Sequence, residues 1–291
     1  MPIVSMKKIL KDAKEGGYAV GCYNAIDMEM VRGVLEAAEE ERSPVILCHA
    51  EVHFKFMPLE KIAPVLVTEA ARSKVPVAIL LDHGKSFDAV VKAMQLGFNA
   101  VMYDGSSLGY EENIQNTKEI VKIAGAMEAA VEAELGHVTR PKSGGAEGDE
   151  DDSIIDDTSL YTDPAQALEF VDRTGVDALA VAFGTAHGLY LKTPKLDLAR
   201  LKKINDTVGL PLVMHGGSGL SAEDFRDSIR NGITKINYYT GLAANAAAKM
   251  KEELLKAEGN SFYHNLMMAA MDSFREEVRT TIRLFGSNGK A

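Results

Sequence analysis

The sequence has 291 residues, 46% of them hydrophobic and 25% charged, with a formal net charge of −10. This composition is typical of a soluble globular protein. The acidic balance argues against a surface for nucleic acid or anionic membranes. No apolar run approaches the roughly 20 residues of a membrane span, and we find no secretory signal. We therefore expect a cytoplasmic protein that acts on a small molecule, with Cys22 and Cys48 reduced in its core.

Eight short apolar or β-branched runs are predicted to be strands. They are Tyr18–Tyr23, Val45–Cys48, Val77–Leu81, Ala100–Tyr103, Ala130–Ala133, Ala178–Phe183, Leu212–Met214 and Ile233–Asn237. The intervening amphipathic segments predict helices at Met28–Arg42, Leu59–Lys74, Phe87–Leu96, Glu111–Ala126, Pro164–Thr174, Leu196–Asp206 and Ala222–Asn231. Strand–helix alternation predicts a parallel sheet, and eight such units in under 300 residues predict an α/β fold of the (β/α)8 TIM barrel type.

Residues 1–291 are predicted to form a single domain, because no linker or change of composition divides the chain. A helical extension follows Gly241, with a break around Gly259–Asn260 and a glycine-rich tail. A doubly wound open sheet is the alternative fold, but no Gly-x-Gly-x-x-Gly follows the first predicted strand to support it.

Polar side chains recur where the predicted strands end, which is the rim on which barrels carry catalytic residues. They are Asn24, His49, Asp82, His83, Asp104, Glu134, His187, His215 and Asn237. One such histidine is usually structural, but several histidines and carboxylates on one rim predict a metal site. Three imidazoles suit Zn²⁺. The carboxylates of Asp82, Asp104 and Glu134 could orient ligands, transfer protons or hold a second metal ion.

A second pattern predicts phosphate binding. His215 is followed by Gly216-Gly217-Ser218-Gly219 and by a helix start at Ser221, so backbone N–H groups and a helix N-terminus can meet an oxyanion. The last predicted strand ends in Asn237–Thr240, which supplies further donors. We interpret His49 as a substrate-pocket residue and His53 as structural rather than as a metal pair, and we assign no role to His137 and His264.

Several motifs occur together in a fixed order. They are Leu81-Asp82-His83-Gly84, Met102-Tyr103-Asp104-Gly105-Ser106, Glu132-Ala133-Glu134-Leu135-Gly136, Leu179–Gly184 through His187-Gly188, His215–Gly219, and Lys235-Ile236-Asn237 with Thr240. With them the chain resembles, over nearly its whole length, the class II metal-dependent ketose-bisphosphate aldolases, which act on fructose or tagatose bisphosphate. The ending Phe285–Ala291 is similar to the tagatose-type branch.

The resemblance implies a lyase that cleaves a phosphorylated ketose to dihydroxyacetone phosphate and an aldehyde, as a homodimer or homotetramer. It implies Zn²⁺ on His83, His187 and His215, with Asp104 and Glu134 at an alternative or resting metal position. It also implies a phosphate site with a monovalent cation, Na⁺ or K⁺, beside it. That site comprises Gly188, Gly216, Gly217, Ser218, Asn237, Tyr238, Tyr239 and Thr240.

The resemblance further implies that Asp82 protonates the aldehyde oxygen in condensation and removes the hydroxyl proton in cleavage. Relatives carry a second catalytic glutamate in a Gly-Gly-x-Glu loop. Gly144–Glu147 matches that pattern, which makes Glu147 the candidate for protonating the product carbon.

The sequence departs from the family pattern at three places: the inserted residues 139–143, the turn Cys48–Glu51, and Tyr263–Asn265, where many relatives have Asp-Pro-Arg. These changes fall on the half of the substrate away from the metal. We therefore expect the chemistry to be kept, while the preference for a bisphosphate stays open, with Arg140 or Lys142 as a replacement anion partner.

Three other functions fit parts of the pattern. A related class II aldolase would act on another phosphorylated keto-sugar or sugar acid. A metal-dependent barrel hydrolase is disfavoured because no His-x-His closes the first predicted strand. A non-catalytic phosphosugar-binding barrel is disfavoured because Asp82 and the three histidines are present.

Overall fold

A computed structural model describes residues 3–141, 157–188, 190, 194–256 and 260–291. Eight parallel strands pair in chain order and close into a barrel, with the last strand beside the first. The strands are β1 Val20–Asn24, β2 Val45–Ala50, β3 Val77–Gly84, β4 Ala100–Tyr103, β5 Ala130–Leu135, β6 Ala178–Val181, β7 Leu212–Met214 and β8 Ile233–Tyr238. The predicted (β/α)8 barrel is confirmed, and the open-sheet alternative is wrong.

Helices lie between the strands and beyond them. They are α1 Met6–Gly16, α2 Met28–Glu41, α3 Leu59–Arg72, α4 Phe87–Gln95, α5 Tyr110–Ala126, α6 Pro164–Thr174, α7 Leu198–Val208, α8 Ala222–Arg230, α9 Thr240–Lys256 and α10 Tyr263–Phe285. The Ser221 side chain accepts from the Asp224 backbone N–H, and the Asp224 carboxylate accepts in return from that of Ser221. This capping box satisfies two N–H groups that the first turn of α8 leaves without intrahelical partners.

Helix α1 was not predicted from the sequence, and it closes the N-terminal end of the barrel. Its apolar residues recur at helical spacing, and Met6, Ile9 and Leu10 are buried against the inward-facing residues of the strands. The lysines of α1 alternate with these positions. A short helix of this kind gives a weak pattern, but burial of one apolar face stabilises it.

Helix α10 packs along α2 and forms the C-terminal extension that the sequence predicted. Gly33 of α2 allows the close approach, since a Cβ there would lie 3.0 Å from both the Met271 carbonyl oxygen and the Phe274 Cβ. In the part of the chain that the structure describes, no helix has both the length and the apolar character needed to cross a membrane.

The inward-facing side chains form layers along the barrel axis. Side chains alternate between the two faces of a strand, so positions two apart share the interior. Apolar inner residues such as Cys22, Leu80 and Val213 belong to the cluster that α1 covers. Two residues after each of them come Asn24, Asp82 and His215, all buried at the C-terminal rim. The fold therefore brings these polar groups together by simple alternation.

Candidate active site

An open cavity of about 220 Å³ lies at the C-terminal rim of the barrel. Asp82 and the three histidines of the predicted site line it. So do the glycine-rich segment after β7 and the end of β8, together with Cys22 and Cys48 at strand positions below the rim. The two cysteines are buried and unbridged, as the sequence analysis expected.

The strand β3 delivers two neighbouring residues to this cavity, although neighbours normally point to opposite faces. His83 has a φ of +46°, in the left-handed region, and the register between β3 and β4 shifts between Leu81 and Gly84. This irregularity turns the backbone so that Asp82 and His83 both line the cavity. Gly84 has no room for a side chain, because a Cβ there would lie 2.9 Å from the Met102 carbonyl oxygen.

Three imidazoles converge in the cavity. The ring centroid of His83 lies 4.5 Å from that of His215 and 5.0 Å from that of His187, and the latter two centroids are 5.9 Å apart. Ligand atoms of the three residues lie within 4.8 Å of one another. His83 and His215 follow buried strand residues, whereas His187 lies in the loop after β6, where its backbone N–H donates to the Thr139 carbonyl at 2.8 Å.

The nitrogen atoms of this cluster fit a metal ion. His83 Nδ1 lies 2.9 Å from Asp104 Oδ2, and His215 Nε2 lies 3.0 Å from Glu132 Oε1. A carboxylate only accepts, so these nitrogens carry the hydrogens and the opposite nitrogens carry lone pairs. Among the described residues, His83 Nε2, His187 Nε2 and His215 Nδ1 have no hydrogen-bond partner although all are buried. Three unpaired imidazole nitrogens facing one space fit the donor set of a zinc site.

Glu132 and Lys235 form a buried layer directly beneath this rim. The Lys235 ammonium lies 3.1 and 2.9 Å from the two Glu132 carboxylate oxygens, and both side chains are fully buried. Lys235 also donates to Asn237 Oδ1 at 2.7 Å, and Asn237 Nδ2 donates to Asp82 Oδ1 at 2.9 Å. One hydrogen-bonded chain therefore connects His215 with Asp82 through three intermediate side chains. Glu132 and Lys235 belong to the sequence motifs named above, but no role was predicted for them.

The signal for this layer was present in the sequence. Glu132 stands two residues before Glu134, and Lys235 stands two residues before Asn237, so each faces the barrel interior below a rim residue. A charged residue in the middle of a strand of a packed barrel needs a partner there. Such a pair in β5 and β8 was therefore predictable.

Burial and neighbouring charges shift the pKa values of three groups in the site. Burial works against ionisation of Asp82, but His83, His215 and Lys235 outweigh it and lower the pKa of that carboxyl group. Burial likewise opposes the Lys235 charge, but Cys22, Glu132 and Asp82 raise its pKa above the ordinary value. Burial, with His83 and Arg140 nearby, holds the pKa of His187 well below the ordinary value. Its neutral ring is the form that ligates metals.

The predicted phosphate-binding segments meet on one side of the cavity. Gly188, Gly216, Gly217 and Ser218 line it together with the four residues Asn237–Thr240, where β8 leads into the N-terminus of α9. The Gly241 backbone N–H donates to Ser218 Oγ at 3.1 Å, which ties the loop after β7 to that helix end. Gly216 has a φ of +71° and packs against the Ala186 backbone, so only glycine fits there.

His83 also belongs to a second group of candidate metal ligands. His83, Asp104 and Glu134 offer ligand atoms within 4.8 Å of one another, and all three are buried. The Arg140 guanidinium reaches into this group, with Nη2 3.0 Å from Asp104 Oδ2 and 3.1 Å from His83 Nδ1. Arg140 was predicted only as a replacement anion partner, so its contact with this group is a new observation.

Two other sequence interpretations have different outcomes. His49 does not line the cavity, so that prediction is wrong: its ring is fully buried, with Nδ1 and Nε2 each 2.9 Å from a backbone carbonyl oxygen, of Ala25 and Met57. It occupies an outward-facing position of β2, one residue out of phase with the interior. Glu147 and Lys142 lie outside the described residues, so their roles stay predictions.

The chain is similar to known proteins over nearly its whole length. The family model described as fructose-bisphosphate aldolase class-II matches residues 4–290. The chain is 39% identical to a probable fructose-bisphosphate aldolase of Bacillus subtilis and 38% identical to the fructose-bisphosphate aldolase of Staphylococcus aureus, over the full length of all three proteins. The crystal structure of the YdjI aldolase from Escherichia coli is similar with a TM-score of 0.85 and 34% identity, covering 99% of each chain. The chain therefore belongs to the class II fructose-bisphosphate aldolase family, whose members are enzymes that generally depend on zinc and whose general reaction is retro-aldol cleavage.

Proposed function

We propose that this protein cleaves a phosphorylated ketose of the fructose or tagatose 1,6-bisphosphate type, reversibly, to dihydroxyacetone phosphate and an aldehyde. The observation that carries the proposal is the convergence of three unpaired imidazole nitrogens beside Asp82, in a cavity whose other side is a glycine-rich cradle. A phosphate held in the cradle would bring the carbonyl end of the sugar toward the histidines.

In this proposal His83, His187 and His215 hold Zn²⁺. When bound, the ion supplies a Lewis acid that stabilises negative charge developing on the substrate oxygens. Asp104 and Glu132 accept hydrogen bonds from the His83 and His215 rings, and this orients the remaining nitrogens toward the cavity. The tautomers of His83 and His215 are thus fixed before any ion arrives.

Asp82 is the proposed proton carrier. Its carboxylate lines the cavity and accepts a hydrogen bond from Asn237, which holds it in one orientation. As a carboxylate it can take the proton of the C4 hydroxyl group during cleavage and return it to the aldehyde oxygen during condensation. Glu147 is proposed to deliver the proton to the carbon that the cleavage leaves negatively charged.

The phosphate of dihydroxyacetone phosphate is proposed to lie among Gly188, Gly216, Gly217 and Ser218 and the residues Asn237–Thr240, with Na⁺ or K⁺ beside it. Backbone N–H groups of a glycine-rich loop and the N-terminus of α9 favour an anion at this position. Tyr190 supports the cradle from outside, since its hydroxyl accepts from the Ala186 backbone N–H and donates to the Gly216 carbonyl.

A Schiff-base mechanism would need an unprotonated lysine in the cavity. Lys235 is the buried lysine nearest to the site, but Glu132 and Asn237 bind its ammonium group and neighbouring acids raise its pKa. An ammonium group that is fully paired does not attack a carbonyl carbon. These contacts argue against Lys235 as a Schiff-base lysine, and to that extent they support the metal-dependent reaction.

The direct test measures dihydroxyacetone phosphate release from a panel of ketose monophosphates, ketose bisphosphates and phosphorylated keto-sugar acids. We expect release from at least one compound, loss of activity after treatment with a chelator, and recovery with Zn²⁺. Full activity in the chelated protein, or trapping of a substrate adduct on a lysine by borohydride, would contradict the proposal.

We also propose that the protein works in the cytoplasm as a homodimer or homotetramer. Apolar side chains are exposed near the junction of α9 and α10, including Leu255, Phe262 and Tyr263, which are 68%, 69% and 75% exposed. Burial of such residues between copies of the chain would stabilise an oligomer. Light scattering coupled to gel filtration gives the mass directly, and a monomer at micromolar concentration would contradict this part of the proposal.

A further inference from the structure

The first two inserted residues, Thr139 and Arg140, place an arginine in the interior of the site. Thr139 forms a parallel bridge with Ala186, and the His187 backbone N–H donates to its carbonyl oxygen. This pairing fixes the backbone immediately before Arg140 against the loop that carries His187. The Arg140 side chain is 16% exposed and lines the cavity.

Arg140 contacts the group formed by His83, Asp104 and Glu134, which we call the acidic cluster. Its Nη2 donates to Asp104 Oδ2 at 3.0 Å, the same oxygen that accepts from His83 Nδ1 at 2.9 Å. Ser106 Oγ donates to the other Asp104 oxygen at 2.6 Å. Both Asp104 oxygens are therefore engaged by donors that a divalent ion would have to displace.

The acidic cluster otherwise has the chemistry of a metal site. The Asp104 and Glu134 carboxylates lie within ligand distance of each other, and Glu134 Oε2 has no hydrogen-bond partner among the described residues. These two carboxylates could hold a divalent ion while His83 keeps its Nδ1 hydrogen bond to Asp104. Two buried carboxylates so close together repel each other unless a cation lies between them. In this chain the Arg140 guanidinium already supplies a cation at Asp104, and the bridge between Thr139 and Ala186 fixes the backbone beside it.

We propose that the Arg140 guanidinium takes the place of a divalent ion in the acidic cluster, so that the chain holds one metal ion, at His83, His187 and His215, and not two. A second divalent ion would meet a positive charge at contact distance in a buried site, where such repulsion is strong. The inference rests on the proposed three-histidine metal site, and it concerns a residue that the family pattern does not supply.

The experiment counts bound metal in apo protein dialysed against a buffered concentration of free Zn²⁺, with metal per chain measured by mass spectrometry. We expect one ion per chain in the wild type and in Glu134→Gln. In Arg140→Met the count should rise toward two, since the side-chain volume is nearly kept while the charge is lost. Arg140→Lys should stay at one, and Arg140→Met/Glu134→Gln should return to one.

Lys85→Met is the matched control. Lys85 also lines the cavity, so this variant removes one positive charge from the same cavity. The hydrogen bond described for Lys85 goes from its backbone N–H to Glu51 and not to the acidic cluster. This variant should bind one ion. Two ions in the wild type, one ion in folded Arg140→Met, or a second ion in Lys85→Met would each overturn the inference. Loss of the single ion in Glu134→Gln would overturn it as well, so this variant tests the inference even where Arg140→Met does not fold.

The count also separates this inference from the proposed function. If the wild type binds no Zn²⁺ under these conditions, the three-histidine site fails and both proposals fail together. If the wild type and Arg140→Met both bind one ion, the metal site stands and only the role of Arg140 is wrong.

Discussion

At the scale of single residues, the site depends on one backbone angle. Asp82 faces the interior by strand alternation, and His83 would face outward if β3 stayed regular. The positive φ of His83 turns its ring into the cavity, where its Nδ1 meets Asp104. A non-glycine residue in such a conformation costs on the order of 1–3 kcal/mol, which the surrounding packing must offset. Local strain thus accompanies the placement of the proposed metal ligand His83 next to the proposed proton carrier Asp82.

Asp82→Asn tests the proton-transfer role. The amide is nearly the same shape, but it cannot accept the hydroxyl proton, so turnover should fall by roughly 10²-fold or more. Zn²⁺ content should not change, because Asp82 is not among the three histidine ligands. Steady-state kinetics and metal analysis on the same preparation check both statements, and turnover equal to the wild type would remove Asp82 from the mechanism.

Lys235→Met tests the buried layer under the site. Removal of one partner from a buried ion pair leaves the Glu132 charge uncompensated, which typically costs about 3–5 kcal/mol of unfolding free energy. Denaturant titration measures this loss of unfolding free energy. Lys235→Met/Glu132→Gln should recover part of the loss because no unpaired charge remains. Lys8→Met, which breaks an exposed pair with Asp12, should have little effect.

At the scale of elements, β3 is longer and less regular than its apolar run suggests. The run Val77–Leu81 predicted the apolar part, whereas the strand, which is buried throughout, continues to Gly84 through the bulge. The sequence could not give the bulge, because it depends on pairing with β4. Helix α1 was not predicted, because its apolar pattern spans only 11 residues and its stability comes from covering the N-terminal end of the barrel.

Gly84→Ala tests the close packing at the end of β3. A methyl group there would lie 2.9 Å from Leu81 Cδ2, Val90 Cγ2 and the Met102 carbonyl oxygen. Overpacking of this kind typically costs about 1–3 kcal/mol. We expect a lower denaturation midpoint and weaker Zn²⁺ binding, since the neighbouring His83 must move.

Gly109→Ala is the control for that substitution, because a Cβ at Gly109 meets nothing within 4 Å and its φ of −63° suits alanine. It should leave Zn²⁺ affinity unchanged. Equal effects from the two substitutions would show that tight packing at Gly84 has no special role.

At the scale of the whole molecule, the barrel and most of the polar residues at its C-terminal rim could be predicted from the sequence. Strand alternation carries Asp82, Glu134, His215 and Asn237 to one place, so spacing alone predicts their convergence. Arg140 could not be placed in this way. Its position depends on the pairing of Thr139 with Ala186, which joins two loops that lie far apart in the sequence.

The same convergence would make the proposed metal binding a property of the folded chain as a whole. The three histidines of the proposed site come from β3, from the residue directly after β7 and from the loop after β6, so an unfolded chain could not hold an ion in the same way. Binding to the folded state alone adds about 2.7 kcal/mol of stability when free ligand is about 100 times the dissociation constant. We therefore expect the chelated protein to unfold at a lower temperature than the Zn²⁺-loaded protein, by calorimetry at fixed protein concentration.

His83→Ala should abolish that difference between the chelated and the Zn²⁺-loaded protein. His264→Ala should keep it, because His264 stacks on Phe262 away from the cavity. An unfolding temperature that does not depend on Zn²⁺ in the wild type would contradict the three-histidine site directly. A shift that survives in His83→Ala would locate the stabilising ion elsewhere in the protein.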